Sequence, residues 1–197
     1  MPFPLLNILI LLNLLFIPNY FAQFSSSFRE FLKDYGGNDL EKLLTREDLG
    51  VKGSYGGGNH KAGEKTKRQP VIFVHGVAES AGSTKPFEKY FKDNGYDGAE
   101  IFATTYGDAG KTNLIFVEID CQFVKMIRLM ILTVFNFTSN MVNINSISLG
   151  VVVSRKVSED QRWIGIPISD VFFLPISDFR NFGKISDFRE FLKHISD

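Results

Sequence analysis

Pro70-Val71-Ile72-Phe73-Val74-His75-Gly76-Val77 is an apolar run that stops abruptly at a His-Gly pair. Its four residues from Val71 to Val74 are all β-branched or aromatic, which reads as a strand buried on both faces, as in a parallel sheet. A His-Gly pair at the C-terminal end of such a strand falls where open α/β sheets place their ligands. Gly76, lacking a Cβ, lets backbone N–H groups come close to an oxyanion. On this octapeptide alone, a buried strand with an ordinary turn glycine reads equally well.

Working outward, elements alternate. Phe28 to Leu44 has helical spacing, with a break at Gly36-Gly37, and Gly53 through Gln69 reads as a loop leading into the first central strand. Phe87, Tyr90 and Phe91 at i, i+3 and i+4 predict an amphipathic helix ending near Gly95. Glu100 to Tyr106 is a second strand, and Gly107 to Thr112 a polar loop. From Ile115 to Phe137 the apolar pattern is helical. Val142 to Ile147 is a third strand, followed by a helix through about Glu159. Strand and helix in regular alternation predict the α/β class with a parallel sheet flanked by helices.

A chain of 197 residues is long enough for one domain with a substantial core. Its 22 basic and 22 acidic side chains cancel, so no basic footprint for nucleic acid and no acidic tail is expected. The single cysteine, Cys121, excludes an intrachain disulfide and a Cys-based zinc cluster, and burial is the expectation for its thiol, with half of an intermolecular bridge as the alternative. No metal-ligand spacing is present, and no cofactor is expected. Leu5 to Ile17 is almost unbroken Leu, Ile and Phe, shorter than the ~20 residues that span a bilayer. With small or polar residues behind it, this stretch reads as a signal peptide over residues 1–22 and predicts a secreted chain, with a buried N-terminal helix or a membrane anchor as the alternative. Asn136-Phe137-Thr138 is a sequon that an exposed loop would offer for glycosylation.

Residues 161–197 behave differently from the 23–160 body. Ile168-Ser169-Asp170, Ile176-Ser177-Asp178-Phe179-Arg180, Ile185-Ser186-Asp187-Phe188-Arg189 and Ile195-Ser196-Asp197 recur, and the hexapeptide Phe28 to Lys33 returns intact at Phe188 to Lys193. These repeats are shorter and more nearly identical than those of a solenoid. They read as duplicated or foreign sequence, a divergent tail.

Ser146-Ile147-Ser148-Leu149-Gly150 lies at the junction of the third strand and the helix behind it. A nucleophile elbow needs small residues two before and two after its serine, since flanking helix and strand otherwise collide. Here Ser146 and Gly150 hold those positions. An ordinary strand–helix turn with an N-capping serine is the alternative. The upstream His75-Gly76 strand end favours the elbow, because an oxyanion hole draws one N–H from each place.

Arg46-Glu47-Asp48-Leu49-Gly50, Gly53-Ser54-Tyr55-Gly56-Gly57, the Pro70–Val77 octapeptide and Ala103-Thr104-Thr105-Tyr106-Gly107-Asp108, in that order, resemble the secreted class 2 lipases of nematode type, relatives of small bacterial secreted lipases. The likeness continues through Cys121, Lys125, Arg128, Asn143 and Ser154-Arg155-Lys156, covering roughly residues 28–158. It implies an α/β-hydrolase domain acting on lipid esters in lipid catabolism, with transient contact to a lipid surface. Ser148 would be the nucleophile, and the Val77 and Leu149 N–H groups the oxyanion donors. His75, Gly76 and Asp108 would lie at the pocket, His75 orienting or packing its loop and Asp108 lining it or capping a turn.

The family's acid and base follow the serine. His194 is the only histidine after Ser148, and it stands in the repetitive tail. Two further strand–helix units do not fit behind Glu159 at ~30 residues each. The expectation is therefore a C-terminally incomplete α/β-hydrolase sheet. Two functions follow: a serine carboxylic ester hydrolase, or a catalytically incomplete relative that binds lipid or a partner. Gly110-Lys111-Thr112 is not a phosphate loop, because Thr105 stands where that motif needs its first glycine.

Overall fold

The computed structural model describes residues 23–112, 120–159 and 171–174. Within them the chain builds a five-stranded sheet in the order β1-β3-β2-β4-β5, from β1 (Ser54–Gly56), β2 (Val71–Val74), β3 (Ile101–Thr104), β4 (Asn143–Ile147) and β5 (Val171–Leu174). β2 lies at the centre, parallel to β3 with Val71 opposite Ile101, and parallel to β4 with Val71 opposite Asn143. β5 continues the parallel pairing outside β4. β1 joins the other edge antiparallel to β3, so the sheet is mixed rather than wholly parallel. The stretch read as a loop from Gly53 to Gln69 thus contributes a short strand, too brief for two-residue periodicity to reveal. β5 lies past residue 160, within the stretch whose sequence reads as a divergent tail.

Parallel neighbours need crossovers, and helices supply them. α2 (Lys85–Asp93) connects β2 to β3, α3 (Cys121–Thr138) connects β3 to β4, and α4 (Leu149–Glu159) follows β4. α1 (Ser26–Thr45) precedes the sheet, capped by Ser25, whose hydroxyl accepts from the Phe28 N–H, and kinked at Gly37. The helix expected from Ile115 is described from Cys121, where Asp120 caps it through the Gln122 N–H; residues 113–119 lie outside the described residues.

Alternation along β2 divides the core into two layers. Ile72 and Val74 join Phe102 and Ile144 against α1, α3 and α4. Val71 and Phe73 join Ile101 and Ala103 against Phe91 of α2 and Tyr55 of β1. α3 is long and apolar enough to cross a membrane by length and composition. In this fold it lays Val124, Ile127, Met130, Ile131, Val134 and Phe137 onto the first layer, a stripe at helical spacing. Phe28 is fully buried at the centre of that layer, with its ring 4.8–5.1 Å from those of Phe24, Phe102 and Phe137.

The expectation of a buried thiol is corrected: Cys121 is exposed, because it opens α3 ahead of Val124, the first buried residue of the helix. The sequon is not in a loop. Asn136 lies in the last turns of α3, exposed, and its amide donates to the Leu132 carbonyl (2.7 Å) and the Tyr35 hydroxyl (3.3 Å).

Truncating the central ring tests this packing. Phe28→Ala is expected to lower unfolding free energy by about 3–5 kcal/mol in urea titrations, the usual cost of an unfilled aromatic site.

Candidate active site

β4 ends at Ile147 and α4 begins at Leu149, so one residue turns the chain. That residue, Ser148, has φ +52°, the left-handed region. For a residue with a Cβ this conformation costs about 1–2 kcal/mol, and packing around the turn must hold it there. Gly150 explains how. A Cβ on it would lie 2.5 Å from the carbonyl oxygens of both Val74 and His75, so only glycine lets the first turn of α4 rest on the end of β2. At the leading position, the buried Ser146 Oγ is 2.6 Å from Ser154 Oγ, a hydroxyl pair joining β4 to α4. Leu149 opens α4, where the helix dipole places positive potential.

The end of β2 faces this turn. A Cβ on Gly76 would lie 3.1 Å from the Ser148 Cβ, so the two turns nearly touch. The peptides around Gly76 are gripped from several sides. The His75 carbonyl accepts from the Tyr106 hydroxyl (2.7 Å), and the Gly76 N–H donates to Glu79 Oε2 (2.9 Å). The Gly76 carbonyl lies 2.8 Å from His75 Nδ1 and accepts, at 3.4 Å, from the Glu79 N–H. Among the described residues the Val77 and Leu149 N–H groups donate to no protein acceptor.

His75 is 2% exposed, and its ring stacks on Tyr106 at 4.2 Å. The Tyr106 N–H donates to His75 Nε2 at 3.2 Å, which assigns the ring proton to Nδ1 and its hydrogen bond to the Gly76 carbonyl. Burial pushes its pKa down to about 4, so the ring is neutral around pH 7 with both nitrogens engaged. It is therefore built to hold its loop and not to take a proton from Ser148. Burial also pushes the Tyr106 hydroxyl well above its ordinary value.

Beside these turns lies a pocket of about 540 Å³. His75 to Glu79, the turn from Tyr106 to Thr112, the start of α3 and Leu149 form its walls. Ser148 is half-buried at its edge and is not itself a wall residue. Tyr106 and Phe123, with ring centroids 5.2 Å apart, supply apolar surface. Asp108 also lines the pocket and caps its own turn, accepting from the N–H groups of Gly110 (3.0 Å) and Thr112 (2.7 Å) and from the Thr112 hydroxyl. The Thr112 hydrogen bond is the leading reason that its carboxyl titrates below the usual range.

Sequence reasoning did not anticipate the residues that brace this mouth. Arg46, in left-handed conformation at the end of α1, sends Nη1 to the carbonyls of Thr105 and Gly107, each at 2.7 Å. The same guanidinium grips Asp48 through two 2.8 Å bonds, the main cause of that carboxylate's lowered pKa. Thr105 Oγ1 accepts from the Ala81 N–H and donates to the Lys52 carbonyl, both at 2.8 Å. Glu79 and Tyr106 were equally unforeseen, since one-residue hydrogen bonds to a turn leave no periodic signal.

His60 lies at the opposite end of the sheet, its Nε2 2.9 Å from the Glu64 carbonyl. His194 and all acidic residues beyond Glu159 lie outside the described residues. Among the described residues no group of three His, Cys, Asp or Glu is arranged to hold a metal.

A sheet with a parallel centre flanked by helices, and a left-handed serine between a strand and the helix behind it, form the frame of an α/β hydrolase. Residues 68–161, from just before β2 to just past α4, match the family model for lipase (class 2). No curated protein matched the chain. This segment is lipase-like, and the ester hydrolase class expected from the motifs has its support here.

Two measurements follow. Ser148→Gly is expected to unfold about 1 kcal/mol less readily than Ser148→Ala, since glycine adopts φ +52° without strain. For His75, the unfolded ring binds a proton below pH 6.5 while the folded ring resists it to about pH 4. Its contribution of roughly 3 kcal/mol is therefore complete above pH 6.5 and lost as pH falls toward 4. Urea unfolding across that window is expected to show the slope, and the His75→Gln chain to lack its share of it.

Proposed function

We propose that this protein is a secreted carboxylic ester hydrolase of lipid catabolism, of the nematode class 2 lipase type, with Ser148 as its nucleophile. The observation that carries the reading is the left-handed Ser148 at the β4–α4 turn, inside the segment that matches class 2 lipases. Ser148 Oγ attacks the ester carbonyl, and the Val77 and Leu149 N–H groups receive the oxygen as it becomes negative. The alcohol leaves once protonated, and water then releases the acyl group from the serine. Tyr106 and Phe123 offer apolar surface to the substrate, consistent with a lipid ester.

The base of this mechanism must come from outside the described residues, with His194 the candidate present in the sequence. His75 and His60 are held in other roles, and that favours a second reading: a lipase relative that binds lipid without turning it over. One assay separates the two. The secreted chain is given short-chain p-nitrophenyl esters and tributyrin emulsion, alongside Ser148→Ala. Hydrolysis that falls at least a thousandfold in the variant supports the hydrolase. Saturable binding of a fluorescent fatty acyl chain with no turnover supports the binding protein, and turnover undiminished in Ser148→Ala removes Ser148 as nucleophile.

A further inference from the structure

Two consecutive peptides join His75, Gly76 and Val77, and together they present four polar groups. Three are held. Tyr106 Oη donates to the His75 carbonyl at 2.7 Å, and Glu79 Oε2 accepts from the Gly76 N–H at 2.9 Å. His75 Nδ1 donates to the Gly76 carbonyl at 2.8 Å, assisted by the Glu79 N–H at 3.4 Å. The fourth group, the Val77 N–H, meets no acceptor among the described residues. We infer that His75, Tyr106 and Glu79 are positioning residues which clamp this turn so that the Val77 N–H is aimed at an oxyanion forming on the carbon that Ser148 attacks. The inference rests on the hydrolase reading above and names the residues that make its oxyanion hole rigid.

Peptide planarity is the physical link. The Gly76 carbonyl and the Val77 N–H belong to one rigid plane and point in opposite directions, so holding the oxygen fixes the hydrogen. An N–H whose own carbonyl already accepts a hydrogen bond is also a stronger donor, because the peptide is polarised. The His75 ring can supply that bond because the Tyr106 N–H occupies Nε2 and so keeps the proton on Nδ1. Ring stacking at 4.2 Å and an interplanar angle of 9° stops the imidazole from turning. A Cβ on Gly76 would crowd the turn, lying 3.1 Å from Ser148 Cβ and 3.2 Å from Glu79 Oε2. Ala78, next in the turn, is left-handed at φ +57°, a conformation that the Glu79 bond back to Gly76 helps to hold. Fixed donors need no reorganisation when charge develops, and misplacement by about 1 Å can cost on the order of a hundredfold in rate.

The test uses a fluorescent alkyl fluorophosphonate on the full chain. Ser148 Oγ would bond to phosphorus, fluoride would leave, and the hydroxyl proton would pass to solvent. Labelling kinetics separate the maximal rate from the half-saturating concentration. Wild type, Ser148→Ala, His75→Phe, Glu79→Ala and Glu79→Gln are compared, with melting temperatures recorded. The expected result is no labelling of Ser148→Ala, and a maximal rate about ten- to a hundredfold lower in His75→Phe and Glu79→Ala at unchanged half-saturation. Glu79→Gln, which keeps an acceptor for Gly76, is expected to restore most of that rate. A merely structural role would not produce that rescue. Wild-type rates in His75→Phe and Glu79→Ala overturn the clamp and leave the hydrolase reading standing. Labelling that survives in Ser148→Ala, or is absent from wild type, overturns both. If His75→Phe does not fold, the ring of the unmodified chain decides: ¹⁵N-resolved NMR is expected to show a proton on Nδ1, and a proton on Nε2 overturns the clamp.

Discussion

The close approach of α4 to the end of β2 is the constraint on which the rest depends. Helix and strand meet with no space for a methyl group between Gly150 and the carbonyls of Val74 and His75. Because they meet so closely, the chain must reverse within one residue, and Ser148 takes up a backbone conformation that costs it energy. The same contact brings the end of β2 beside the serine, so two turns separated by some seventy residues in sequence become one site. The strain at Ser148 is thus set by tertiary packing and not by local preference. The Ser146–Ser154 hydroxyl pair beneath the turn adds a buried polar tie between the same two elements.

The fold was legible where burial imposes a period. The unbroken Val71–Val74 run announced a central strand, and the i, i+3, i+4 pattern of Phe87, Tyr90 and Phe91 announced its crossover helix. Gly150 was legible at the strand–helix junction, because a Cβ there would lie 2.5 Å from two main-chain carbonyl oxygens. Other features left no mark in the sequence. β1 is three residues long and pairs at an edge, so nothing in Ser54-Tyr55-Gly56 distinguishes it from a loop. The exposure of Cys121 depends on where the buried stripe of α3 begins relative to the helix start, which composition does not encode.

The polar braces around the pocket were invisible for a different reason. Arg46 and Tyr106 act through hydrogen bonds to main-chain carbonyls distant in sequence, and Glu79 through one to the Gly76 N–H three residues before it, and such bonds follow no periodic pattern. Arg46 and Tyr106 fell within motifs that resembled a family, but the likeness carried no mechanism for them. The structure gives the mechanism: a guanidinium at a helix terminus and a phenol at a strand terminus each satisfy carbonyls that would otherwise be partly buried without donors.

Arg46 has one further consequence. It holds the Thr105–Gly107 turn through main-chain oxygens, which every residue carries. The hold of Arg46 on that turn is therefore indifferent to which side chains the turn carries. Thr105 and Asp108 add side-chain ties of their own, to Lys52, Gly110 and Thr112, and Ala109 takes the left-handed conformation. The path of the pocket mouth is thus fixed twice over, from behind through main-chain oxygens and from within by its own residues.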